Sequence, residues 1–119
     1  FDTSKVTSMG NMFSNCIKLE NVVLGQSWAF DSVTDYNKMF YPKAKVFCVS
    51  ADQKTWLSGT SIYIISADRV FVLVSDADVK TALNSATWSI LTDYTTIETA
   101  DYNNVTYYRI KGQTDIYSA

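Results

Sequence analysis

Histidine is absent from this chain, and with it go most of the familiar catalytic constellations. Without an imidazole there is no Ser–His–Asp or Cys–His nucleophile system and no His-ligated metal site. Cys16 and Cys48 supply at most two thiolates, too few for a structural zinc site. Gly10, Gly25, Gly59 and Gly112 stand far apart, so no glycine-rich loop can cradle a phosphate. Asp76 and Asp78 lack a third acidic neighbour for calcium. They are better read as acids that stabilise the start of a helix against its dipole. Nothing singles out two carboxylates as an acid/base pair for glycoside hydrolysis. The chain is therefore read as non-enzymatic, with no catalytic residues, no metal and no cofactor. The candidate binding residues that remain are aromatic: Tyr94, Tyr102, Tyr107 and Tyr108. Tyrosine suits wet recognition surfaces, and equally suits an ordinary strand face.

These tyrosines fall in two Thr- and Tyr-rich runs, residues 94–99 and 105–111, joined by residues 100–104. The pattern predicts a β-hairpin with a loop of about five residues. Successive strand residues face opposite sides, so Tyr107 and Tyr108 cannot both be core. Asn104-Val105-Thr106 matches a glycosylation sequon but is read as turn chemistry. Upstream, residues 46–57 resemble residues 70–83, with Lys54, Thr55 and Leu57 matching Lys80, Thr81 and Leu83 at an offset of 26 (80 − 54). Each copy predicts a buried strand followed by a short helix. Ser50 with Gln53, and Ser75 with Asp78, are the expected caps. Val79, Ala82, Leu83 and Ala86 form the apolar face of the second helix. Ile62, Tyr63, Ile64 and Ile65 make a further strand candidate, and Pro42 stops the turn before the first strand.

An older echo lies at the start. Val6, Thr7, Met12 and Phe13 recur as Val33, Thr34, Met39 and Phe40, an offset of 27 residues (33 − 6). A fixed period in the twenties predicts stacked units, each covering the hydrophobic face of the last. Leu19, Val22 and Leu24 then predict an inward-facing strand. The division that follows is residues 1–93 as the repeat part, in units of about 1–27, 28–44, 45–68 and 69–93, with residues 94–119 as a hairpin cap.

Composition sets the outer limits. Of the 119 residues, 47% are apolar and 18% charged, which describes a globular chain and not a disordered one. The net charge of −2 leaves no basic stripe for nucleic acid or anionic lipid. No apolar run approaches the roughly 18 residues of a membrane span. Residue 1 starts on a motif boundary with no basic start or apolar run behind it, so the chain reads as part of something longer, with any export signal upstream. Cys16 and Cys48 both sit in apolar patterns and are read as buried, reduced thiols, with a disulfide between neighbouring repeats as the alternative.

The run Phe1-Asp2-Thr3-Ser4-Lys5-Val6-Thr7-Ser8-Met9-Gly10-Asn11-Met12-Phe13-Ser14-Asn15-Cys16 resembles the repeat of BspA-like leucine-rich-repeat surface proteins, the DUF285 repeat family. The match is close over residues 1–24, partial over 28–40, and less specific over 70–88. The resemblance implies an α+β fold: a leucine-rich-repeat-like solenoid of short strand–helix units, closed by a C-terminal β-hairpin and forming the C-terminal part of a repeat array. It implies that Val6, Met9, Met12, Phe13, Cys16, Leu19, Val22 and Leu24 are core. It also implies an extracellular, bacterial cell-surface location and a non-enzymatic adhesion or binding role. The partner would be a protein or glycan on a host or neighbouring cell, with no nucleic acid and no membrane insertion. A structural or receptor-binding part of a phage, virion or other extracellular assembly is the alternative.

Overall fold

The computed structural model describes residues 5–10, 20–30, 32–40, 44–59, 67–92 and 94–119. The expectations for Met12, Phe13, Cys16, Leu19, Pro42 and residues 62–65 fall outside these residues. The chain forms two compact units, Phe1–Val72 and Leu73–Ala119.

In the first unit, strands β1 (Asn21–Val23), β2 (Lys45–Cys48) and β3 (Val70–Leu73) pair in parallel. Asn21 lies opposite Lys45 and Val46 opposite Val70, a spacing of 24 residues in each case (45 − 21 and 70 − 46). Every residue of the central strand β2 is buried, as expected of a parallel strand covered on both faces. On one side Val46 and Cys48 join Met9, Leu24, Phe30, Met39, Phe40 and Leu57 in the core. On the other, Phe47 stacks on Phe71 with ring centroids 4.8 Å apart. Parallel strands need a crossover, and between β2 and β3 it includes helix α1 (Ala51–Gly59).

The 27-residue echo is realised as physical adjacency. Ser8 and Asp35 form a parallel bridge. The Met9 N–H donates to the Asp35 carbonyl at 2.7 Å, and the Thr34 N–H donates to the Thr7 carbonyl at 2.8 Å. Ser8 Oγ also donates to Asp35 Oδ2 at 3.0 Å. Gly10 makes room for this carboxylate: a Cβ there would sit 2.8 Å from Asp35 Oδ1. Of the expected core residues within the described set, Met9 and Leu24 are buried, while Val6 and Val22 pack against the cluster.

The second unit is antiparallel. Strands β4 (Ser89–Leu91), β5 (Tyr94–Tyr102), β6 (Val105–Ile110) and β7 (Tyr117–Ser118) pair in that order. Helix α2 (Ala77–Leu83) brings Val79 and Leu83 onto Ala100 of β5, with Ala86, Trp88 and Tyr107 alongside. The expected cap moves by one residue. Asp76, not Ser75, is the N-cap, accepting from the Asp78 N–H at 2.9 Å and the Val79 N–H at 3.4 Å. The β5–β6 hairpin is joined by two residues where about five were expected. Ala100, Asp101 and Tyr102 stay paired with Tyr107, Thr106 and Val105. The turn is left to Asn103 and Asn104 at φ 54° and 66°, the left-handed pair that a type I′ turn requires and asparagine tolerates.

The expected α+β leucine-rich-repeat-like solenoid of strand–helix units is corrected by this architecture. The described residues are mostly sheet, with seven strands of mixed direction against helices of only 9 and 7 residues. Two local causes stand out. Over residues 33–40 the Asp35 carboxylate accepts from the Asn37 N–H at 3.4 Å and Lys38 takes φ 54°; a residue in that conformation ends a helix before it starts. From Ser89 onward, β-favouring residues extend the expected hairpin into an antiparallel sheet, with β4 and β7 pairing on either side of its two strands.

An aromatic cleft against helix α1

Helix α1 begins with a cap that also reaches beyond the helix. The Gln53 N–H donates to Ser50 Oγ at 3.3 Å, and Gln53 Oε1 accepts from the Val49 N–H at 3.0 Å. This is the reciprocal pattern of a capping box, shifted one residue upstream on the return bond. The Gln53 amide nitrogen then spends both protons on another segment, donating to the Gly25 carbonyl at 2.8 Å and the Trp28 carbonyl at 2.9 Å. Residues 25–28 are already a turn, closed by the Trp28 N–H on the Gly25 carbonyl at 3.1 Å. Gln53 is 3% exposed, so a buried polar side chain is fully paired, as burial demands.

The clamp sets two walls facing each other. One is residues 26–30, contributing Gln26, Trp28 and Phe30; the other is the first part of α1, contributing Asp52, Thr55 and Trp56. Between them lies a cleft of about 560 Å³. Phe30 is buried and stacks face to face on Trp56, centroids 4.3 Å apart at 6°. Tyr36 meets Trp56 edge-on at 5.4 Å and 87°. Such contacts lock the Trp56 ring. Trp28 and Trp56 are half-buried and both line the cleft, with the Trp28 indole nitrogen itself buried. Asp52 is exposed, and among the described residues its carboxylate has no hydrogen-bond or ion-pair partner. Among the described residues of the lining, Asp52 is the one carboxylate and there is no lysine or arginine.

Cys48 lies in the core near the cleft's supporting helix and is a free thiol. Burial pushes its pKa up from 9.0 to about 11, with the Lys54 ammonium pulling the other way. A thiol held protonated is a poor nucleophile. Lys54 itself donates to the Val70 carbonyl at 3.1 Å. Among the described residues no group of three acidic or thiol side chains is placed to hold a metal ion.

The four tyrosines singled out from sequence all lie in the second unit. Tyr102 is exposed at the hairpin end. Tyr107, directly opposite Ala100, shares its face and is half-buried against α2. Tyr108 points the other way and is buried, paired with Tyr117. Tyr94 is half-buried at the far end of β5, eight residues from Tyr102 (102 − 94), about 27 Å along a strand. The structure therefore does not gather the four at one place. Sequence reasoning passed over Trp28, Phe30, Asp52 and Trp56. One signal was available: Trp28 and Trp56 are 28 residues apart (56 − 28), close to the 27-residue echo, which sets them near one another in adjacent copies. Arg109 in the second unit is tied down structurally, its Nε 3.0 Å from Glu98 Oε1 and its guanidinium 4.3 Å above the Trp88 ring.

A family model described as "Mycoplasma protein of unknown function, DUF285" matches residues 1–64. The matched span contains every described residue that lines the cleft and none of the four tyrosines. No curated protein and no solved structure matches the chain.

Proposed function

The chain belongs to the DUF285 family, and from that premise we propose that it is a non-enzymatic recognition module of a bacterial cell-surface protein, engaging a protein or glycan on a host or neighbouring cell. The observation that carries this reading is the cleft itself. It offers two half-buried tryptophans and, among the described residues of its lining, a single carboxylate, on walls pinned by part-buried hydrogen bonds. That is the composition of a binding site, aromatic area with a few placed polar groups. Two features support the non-enzymatic part of this reading. Among the described residues of the lining the exposed Asp52 carboxylate has no second acid or base to share a proton with, and Ser50 Oγ is occupied as a helix cap with no imidazole in the chain to activate it.

The test has two arms. Purified chain is applied to arrays of extracellular-matrix proteins and of oligosaccharides, and the same preparation is assayed on a panel of glycoside and ester substrates. Binding without turnover is expected. Hydrolysis that disappears in Asp52→Asn would overturn the non-enzymatic reading. Surface exposure is checked by protease shaving of intact cells that express the parent protein.

A further inference from the structure

We infer that the cleft between residues 26–30 and helix α1 binds the neutral end of a glycan, with a pyranose lying against the Trp28 and Trp56 indoles and its hydroxyls meeting Asp52, Thr55 and Gln26. This inference rests on the recognition reading above and names the ligand class of that site.

The chemistry of the lining makes the selection. The cleft volume of about 560 Å³ lies in the range of roughly 300–1,000 Å³ found for small-ligand clefts. An aromatic face is electron-rich, and it attracts polarised C–H groups such as those on one side of a pyranose ring. An anionic ligand would meet the Asp52 carboxylate with no lysine or arginine among the described residues of the lining to offset it. Sialylated or sulfated sugars and acidic peptides are therefore disfavoured. A cationic head group would find Asp52 and the indole faces, but an ammonium or guanidinium itself brings only donors. The Gln26 amide protons and the Thr55 hydroxyl proton would then have nothing to donate to. A sugar hydroxyl both donates and accepts. It can donate to Asp52 in a charge-assisted bond and accept from Gln26 or Thr55.

Rigidity favours the same ligand. Each sugar contact is weak, so affinity depends on walls that need no ordering on binding. Gln53 holds one wall to the other through the Gly25 and Trp28 carbonyls, and the Phe30–Trp56–Tyr36 cluster fixes the ring of the second wall. Gln53 is thus a positioning residue, and Trp28 and Asp52 are contact residues.

The experiment uses the whole chain. Methyl glycosides of galactose, mannose and N-acetylglucosamine are titrated by tryptophan fluorescence and by isothermal calorimetry, alongside sialyllactose, a sulfated disaccharide, and lysine-rich and aspartate-rich peptides. At least one neutral glycoside is expected to bind. Trp28→Ala should weaken it at least tenfold. Asp52→Asn should weaken it about 10- to 100-fold, the scale of a hydrogen bond to a charged group. Tyr102→Ala in the second unit should leave it unchanged. Asp52 is exposed, so its variant folds even where Trp28→Ala does not. Binding confined to acidic sugars, to a peptide or to a matrix protein would overturn this inference and leave the recognition reading standing. Neutral-sugar binding that neither Trp28→Ala nor Asp52→Asn weakens would overturn it as well. Absence of binding on every array would overturn both.

Discussion

Replacing Gln53 by Leu is the sharpest probe of how the first unit holds together. The substitution keeps side-chain volume and helix propensity close to the original and removes three hydrogen bonds at once: two donated to Gly25 and Trp28 and one accepted from Val49. A neutral hydrogen bond contributes about 0.5–1.5 kcal/mol net, so three give roughly 1.5–4.5 kcal/mol. The partners left behind are backbone groups under a side chain that is 3% exposed, and an unpaired buried group costs about 1–3 kcal/mol. Part of that second cost is recovered because the cleft lets water reach the loop, so a total near 3 kcal/mol is expected. With a urea slope of about 1–3 kcal/mol/M, the midpoint should fall by about 1.5 M. The assay is urea unfolding followed by tryptophan fluorescence, since Trp28 and Trp56 report on this region. Ser50→Ala, which removes the cap alone, should cost only about 1 kcal/mol. A Gln53→Leu loss no larger than that of Ser50→Ala would show that the reach to residues 25–28 contributes nothing, and the clamp account would fail.

Other consequences are as direct. Gly10→Ala should destabilise by about 1–2 kcal/mol through overpacking against Asp35. Adding Asp35→Ala should recover part of the loss in urea titrations, a non-additivity expected only of touching residues. In a Cys16→Ser background, Cys48 should resist a thiol-specific disulfide reagent at pH 8 until urea unfolds the chain. Its folded pKa of about 11 stands above the 9.0 of the free group. Its contribution to stability is therefore complete below pH 9 and lost as pH rises from 9 toward 11. Cys48→Ala should flatten that alkaline decline in denaturation curves. Asn104→Val places a β-branched residue at φ 66° and should cost about 1–2 kcal/mol, read as a lower melting temperature, whereas Asn104→Gly should hold or raise it.

The residues that announced themselves in sequence were those whose partners are local or periodic. The echo between residues 6–13 and 33–40 became the Ser8–Asp35 bridge, because two copies of one pattern bury the same face. Residues 46–57 and 70–83 each became a strand and a helix, because alternating apolar runs and caps act over a few residues. The failures were tertiary. The hairpin expected over residues 94–119 is present, but its loop was drawn too long, because Asn103 and Asn104 close a two-residue turn, and the strands β4 and β7 that pair on either side of it were not foreseen. The cleft was missed because the capping role of Gln53 accounts for its main chain and Oε1 alone. Its amide protons act on residues 25 and 28 positions away (53 − 28 and 53 − 25), and no local rule records that reach. Tyrosine drew attention for its type, although Tyr108 serves as core.

The clamp has a further consequence for how this molecule can change over time. Gln53 grips only carbonyl oxygens, at Gly25 and Trp28, and a main-chain carbonyl is present whatever side chain it carries. Gln26 can therefore be exchanged for a larger, smaller or oppositely charged residue without loosening the frame, and exposed Asp52 and Thr55 on the facing wall enjoy the same freedom. Holding the backbone and leaving the side chains unconstrained separates the residues that keep the cleft in shape from those that only line it. The lining can vary at little risk to folding.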